Sequence, residues 1–110
     1  MSHRPIDLLL EDILEAVGRI EKYLRNASKE EFLEDQMMQD AVIRNITVIG
    51  EIVSRLPEEF TGKYPDILWP RIRGMRNRLV HDYLGIDLEL VWTVTHSDLP
   101  PFKEQIRELN

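Results

Sequence analysis

The chain has 110 residues, a formal net charge of −6 at pH 7 and no cysteine. Its length fits a single domain over residues 1–110. The absence of cysteine excludes disulfides and thiolate chemistry. Because the chain is acidic, its overall field does not attract nucleic acid, so any RNA contact requires a local basic patch.

The composition is that of a globular protein, with 43% apolar and 31% charged residues. The longest apolar run near the start of the chain, residues 8–10, has acids on both sides. The sequence therefore predicts neither a signal peptide nor a membrane span, and the expected location is the cytoplasm.

Apolar residues at helical spacing begin the chain and predict a first helix over about residues 5–26. Ser28 and Glu31 then form a capping-box pattern, which predicts the start of a short second helix.

A third helix is predicted over about residues 35–56, because its apolar stripe continues until Pro57 ends it. Gly50 lies inside this stripe. Since a glycine in a helix costs about 1 kcal/mol relative to alanine, its presence indicates close packing against another helix.

Residues 57–65 contain two prolines and a glycine and are predicted to form a loop. A fourth helix is predicted to begin between Asp66 and Pro70 and to end near Leu84, with Gly85 as its C-terminal cap.

Asp87 is predicted to cap a fifth helix, which Pro100 and Pro101 break before a last short helix. The helical spacing throughout predicts an all-α fold, an up-and-down bundle of about five helices.

The fourth helix carries the chemically useful residues. On a helical wheel its apolar residues form a core stripe made of Leu68, Ile72, Met75 and Leu79. A separate arc holds a guanidinium, a carboxamide, an imidazole and a phenol on one face, supplied by Arg73, Arg76, Asn77, His81 and Tyr83.

Four arginines, with no acid among them, make this segment the one clear concentration of positive charge in the chain: Arg71, Arg73, Arg76 and Arg78. The planar guanidinium donates two parallel hydrogen bonds to a phosphate. A histidine exchanges protons near neutral pH, so it can activate a 2′-hydroxyl or protonate a leaving oxygen. Arg73, Arg76 and Arg78 are therefore candidates for binding RNA phosphates, and Arg76, Asn77 and His81 for catalysis.

Simpler interpretations of these residues remain open. A histidine near the end of a helix often interacts only with the helix dipole, and an arginine-rich face is often only solvated. No spacing for a metal site, and no glycine-rich phosphate loop, is present, so no metal or cofactor is expected. Arg44 of the third helix either points into a cleft or forms a surface salt bridge. Trp69 and Trp92 are expected to anchor a core or an interface.

The run of residues from Arg76 to Tyr83 resembles the motif of the HEPN ribonucleases, in which an arginine and a polar residue precede a histidine. Tyr83, two residues after His81, is a further mark of the HepT branch. The resemblance extends to the third helix, around residues 41–51, and to Trp92, so it covers essentially the whole chain.

This resemblance implies a helical homodimer that cleaves RNA without a metal at the dimer interface, where two copies of the motif face each other. It also implies a toxin with a cognate MntA-type nucleotidyltransferase antitoxin, which transfers AMP to Tyr83 and silences the ribonuclease. Two other functions remain open. One is a non-catalytic subunit that binds a nucleotide or nucleic acid for a nucleotidyltransferase, and the other is a plain dimerisation module.

Overall fold

The computed structural model describes residues 4–81 and 85–109, with only the backbone of His81. These residues are mostly helical, which confirms the all-α class. The predicted number of helices is too low, because they form eight helical segments and one short β-hairpin. The segments are α1 Ile6–Leu24, α2 Lys29–Glu34, α3 Gln36–Arg55, α4 Glu58–Thr61, α5 Trp69–Arg73, α6 Met75–Leu79, β1 Val80–His81, β2 Gly85–Ile86, α7 Leu88–Ser97 and α8 Leu99–Leu109.

The two long helices α1 and α3 form the centre of the core. Each turns one apolar face toward the other and buries it, with Ile13 and Val17 on α1 opposite the stripe of α3 that contains Ile46 and Ile49. Burying an aliphatic side chain of this size stabilises a fold by about 1.5–3 kcal/mol. Helix α8 packs along α1, and α5 packs along α3.

The predicted capping box is confirmed at the start of α2. The Glu31 N–H donates to the Ser28 hydroxyl at 3.1 Å, and the Ser28 N–H donates to the Glu31 carboxylate at 2.9 Å. The latter bond is the main cause of a lowered pKa at Glu31. Asp87 caps α7 as predicted, since its carboxylate accepts a hydrogen bond from the Leu90 N–H at 3.0 Å.

The predicted loop at residues 57–65 contains the short helix α4. The Trp69 indole N–H donates to the carbonyls of Thr61 and Tyr64, at 3.1 and 3.2 Å, and so ties this turn to α5. The Trp69 ring is buried and meets Phe102 edge-on, which confirms it as a core anchor.

The prediction of one continuous fourth helix is wrong. Gly74 separates α5 from α6, and the backbone becomes extended at Val80. Val80 is β-branched and pairs with Ile86 in an antiparallel hairpin, while Gly85 takes a φ of +91° instead of capping a helix. Leu68 lies before the helix begins and is 61% exposed, so it is not part of the core stripe.

The predicted break at Pro100 and Pro101 is confirmed, because α7 ends at Ser97 and a last helix, α8, begins at Leu99. Both prolines lie in the first turn of α8, where a missing backbone N–H costs no hydrogen bond. Among the residues that the structure describes, no helix combines the length and the apolar character needed to cross a membrane.

Close packing at Gly50 is confirmed. A Cβ atom built on Gly50 would lie 3.3 Å from the carbonyl oxygen of Arg73 and 3.7 Å from that of Ile72. Both atoms belong to the backbone of α5, so a side chain could be accommodated only by moving that helix. Gly50 therefore sets how closely α5 approaches α3.

We expect Gly50→Ala to be less stable than Gly18→Ala, which replaces a glycine of α1 where an added Cβ atom would meet nothing within 4 Å. Gly18→Ala should raise the free energy of unfolding by up to about 1 kcal/mol through helix propensity. At Gly50 the overpacking cost of about 1–3 kcal/mol opposes this gain. Urea denaturation of the two variants measures the difference. Equal stabilisation by both would show that α5 moves freely.

Candidate active site

A groove runs between α3 and the segment formed by α5, α6 and β2. It consists of two adjoining cavities of about 390 Å³ each, and both are lined by Thr47, Glu51 and Arg76. The first cavity is completed by Asp40, Ile43, Arg44, Val48 and Ile86. The second is completed by Gly50, Ser54, Arg73 and Asn77.

The α3 wall of the groove follows from helical spacing. Arg44, Thr47 and Glu51 are three and four residues apart in turn, so they share one face of the helix. The opposite face is the buried stripe that contacts α1. The Thr47 hydroxyl donates to the Ile43 carbonyl at 3.0 Å, which satisfies it within its own helix.

The other wall presents Arg73 from α5 and Arg76 with Asn77 from α6. All three side chains are exposed. Because Gly50 allows α5 to approach α3, Arg73 and Arg76 lie beside the polar face of α3. The structure thus brings together three of the residues that the sequence identified.

The groove arginines are not paired with acids inside the described ranges. No carboxylate oxygen there lies within 4.0 Å of Arg44, Arg73 or Arg76. Arg44 lines the first cavity of the groove, as one of the two alternatives expected, and none of the described carboxylates forms a salt bridge with it. The groove thus combines three guanidinium groups with the carboxylates of Asp40 and Glu51.

Arg78 lies elsewhere. Its Nη2 donates to Asp98 at 3.1 Å, and Arg71 Nε donates to the same carboxylate at 2.8 Å. The Asp98 side chain is only 11% exposed. The hydrogen bond to Asp98, and then its charge, raise the pKa of Arg71. Arg78 lines neither cavity of the groove, so of the three arginines predicted to bind phosphate it is the one that a described carboxylate, that of Asp98, holds elsewhere.

The hairpin brings the backbone of His81 to the edge of this groove. His81 pairs with Gly85, and the next residue, Ile86, lines the first cavity beside Arg76. Because α6 ends at Leu79, a helical wheel does not relate Arg76 to His81. Tyr83, the predicted site of modification, lies outside the described residues.

The sequence reasoning gave no role to Glu51 or Thr47, although both line both cavities. The available signal was the spacing of Arg44, Thr47 and Glu51 on the polar face of the third helix. Within residues 4–80 and 85–109, no three His, Cys, Asp or Glu side chains group closely enough to hold a metal ion.

A family model described as "Ribonuclease HepT-like" matches residues 13–109. A protein of Thermococcus cleftensis named "Probable ribonuclease HepT" is 38% identical over 100 residues, which cover 91% of each chain. A protein of Methanocaldococcus jannaschii named "Putative RNase" is 37% identical over 109 residues, 99% of this chain and 90% of the relative.

Another relative from Methanocaldococcus jannaschii is named "Gamma-glutamylcyclotransferase and putative RNase". It is 39% identical over 106 residues, which cover 96% of this chain but 48% of the relative, so the chain spans about half of its length. No solved structure matches the chain. The match over residues 13–109 and the relatives that align with nearly the whole chain agree, and the chain belongs to the HepT-like ribonuclease family, which is of the HEPN type.

Proposed function

We propose that the protein is a metal-independent endoribonuclease that acts as the toxin of a toxin–antitoxin system. The observation that supports this most is the groove, in which Arg73 and Arg76 lie without carboxylate partners among the described residues, beside Asn77. The naming of relatives as ribonucleases supports the same class of reaction.

In the proposed reaction, Arg76 binds the scissile phosphate and stabilises the charge that develops on it. Arg73 and Arg44 bind neighbouring phosphates along the groove. Asn77 orients the strand by hydrogen bonding, and His81 exchanges a proton with the reacting oxygens. The 2′-hydroxyl of the RNA is the nucleophile, so the product carries a 2′,3′-cyclic phosphate.

We expect Arg76→Ala and His81→Ala each to abolish RNA cleavage in the presence of EDTA, with helix content unchanged. A positioned acid or base contributes about 10²–10⁴-fold to a rate, so the loss at His81 should be of that order. Arg25→Ala removes an exposed arginine at the end of α1 that lines neither cavity, and it should keep full activity.

Product analysis on a labelled oligonucleotide measures both the rate and the cyclic phosphate. A His81→Ala protein that cleaves like the wild type would refute the ribonuclease function. Binding of RNA or nucleotide by a wild-type protein that never cleaves would instead favour the non-catalytic binding subunit.

The proposal includes a homodimer in which two copies of the groove face each other across a two-fold axis. Apolar side chains lie at the groove edge, where Ile86 is 41% exposed and Ile43 and Val48 are half-buried. A second copy would cover these residues and place two Arg76 and two His81 around one phosphate.

Light scattering at micromolar concentration should therefore give the mass of a dimer. Ile86→Asp places a charge at the apolar groove edge, so it should shift the mass toward the monomer and reduce cleavage together. Met37→Asp, at an 83% exposed apolar position that lines neither cavity, provides the matched control. A monomeric wild type that cleaves RNA would refute this arrangement.

Regulation is proposed to occur at Tyr83, which follows His81 by two residues in the sequence. A cognate MntA-type nucleotidyltransferase would transfer AMP from ATP to the phenol oxygen and release pyrophosphate. The added phosphate carries negative charge and bulk next to the motif, so it would compete with RNA for the arginines.

After co-expression with the cognate nucleotidyltransferase, we expect the peptide containing Tyr83 to gain the mass of AMP and the protein to lose ribonuclease activity. Tyr83→Phe should remain active and toxic in the same cells, whereas Tyr64→Phe should be silenced like the wild type. Full neutralisation without a mass change at Tyr83 would favour inhibition by simple binding of the antitoxin.

A further inference from the structure

Glu51 is the acidic side chain that both cavities of the groove share. It lies on α3, directly after Gly50, and faces the wall that carries Arg76. The side chain is exposed. It therefore lines the same space as Arg76, the residue that is proposed to bind the scissile phosphate.

The Glu51 carboxylate has no cationic partner in the described ranges. No Arg or Lys nitrogen there lies within 4.0 Å of it, although Arg55, one turn later on α3, shares a neighbouring cavity with it. Glu51 is thus not neutralised by an ion pair within these residues, and its oxygens are free to accept hydrogen bonds.

A free carboxylate in a phosphate-binding groove has few suitable partners on the RNA. It repels phosphate oxygens, and an ionised carboxylate accepts hydrogen bonds without donating any. The donor closest to the reacting phosphorus is the 2′-hydroxyl, which is also the group that must lose a proton. The 2′-hydroxyl is thus the RNA group near the phosphorus to which the Glu51 carboxylate is chemically suited to bind.

The two walls of the groove differ in what they contribute. Glu51 belongs to the α3 wall, whereas the backbone of His81 runs in the hairpin whose Ile86 lines the opposite wall. Arg76 lines the space between the two walls. Cleavage by a 2′-hydroxyl requires in-line attack, in which the group that accepts a proton and the group that donates one lie on opposite sides of the phosphorus.

We propose that Glu51 is the general base of the reaction and that His81 is its general acid. The Glu51 carboxylate accepts the proton of the 2′-hydroxyl as the O2′–P bond forms. The P–O5′ bond breaks, and O5′ takes a proton from the His81 imidazolium. This inference rests on the proposed ribonuclease function. The motif alone assigns both proton transfers to His81, whereas here Glu51 accepts one proton and His81 donates the other.

Glu51→Gln keeps the size of the side chain and removes its basicity. We expect it to lower kcat on a single-site oligonucleotide by about 10²–10⁴-fold with little change in KM. Glu51→Asp should restore part of the rate, because it supplies a carboxylate at a shorter reach. Glu108→Gln, an exposed acid on α8 that lines neither cavity, should behave like the wild type.

A second substrate separates the base from the acid. In an oligonucleotide whose bridging O5′ is replaced by sulfur, the leaving thiolate departs without protonation, since thiols are far more acidic than alcohols. We expect the His81→Ala defect to shrink on this substrate and the Glu51→Gln defect to persist. This comparison also controls for misfolding, because one substitution is rescued by substrate chemistry and the other is not.

Three outcomes would overturn the assignment of Glu51 while leaving the ribonuclease function intact. They are wild-type cleavage by Glu51→Gln, an effect confined to KM, and rescue of Glu51→Gln by the sulfur substrate. A change confined to KM would show that Glu51 binds the nucleoside without taking its proton. Absence of cleavage by the wild-type protein would refute the ribonuclease function itself.

Discussion

The close approach of the α5 backbone to Gly50 is the contact on which the groove depends. A Cβ atom at position 50 would lie only 3.3 Å from the carbonyl oxygen of Arg73. The residue after that carbonyl is Gly74, where the chain turns into α6 and delivers Arg76. One missing side chain thus sets the width of the space into which both arginines and Glu51 project.

The all-α class could be predicted from the sequence, and so could the helix ends that carry a capping side chain. The capping box at Ser28 and the cap at Asp87 depend on side-chain oxygens next to their partners in the chain, so local patterns are sufficient. Gly50 was informative for a similar reason, since a glycine in an apolar helical stripe needs a packing partner.

The course of the chain after Leu79 could not be predicted in this way. An apolar residue such as Val80 suits a helix and a strand, and its extended conformation depends on pairing with Ile86 across the hairpin. The break at Gly74 separates two helices, α5 and α6, that both pack against α3. Helical periodicity therefore placed Arg73 and Arg76 together on one wall, as observed, but it gave the wrong path to His81.

The four arginines of the basic stretch fall into two pairs with different contacts, and a count of charges in the sequence does not distinguish the pairs. Arg73 and Arg76 face the groove, whereas Arg71 and Arg78 hold Asp98. Asp98 lies between α7 and α8, so a single carboxylate ties both halves of the broken helix to the C-terminal part of the bundle.

The contacts of Arg71 and Arg78 with Asp98, here called the Asp98 joint, affect how ionic strength acts on the protein. Under the proposed function, salt would weaken the attraction between RNA phosphates and exposed arginines such as Arg76. It also screens the half-exposed Arg71 where it meets Asp98, while the more buried contact of Arg78 is screened less. A salt titration of the proposed RNA affinity would therefore measure two processes, the release of counterions from the strand and the loosening of α5 and α6, which carry the arginines. Its slope counts phosphate contacts correctly only over the range of salt in which the Asp98 joint stays closed.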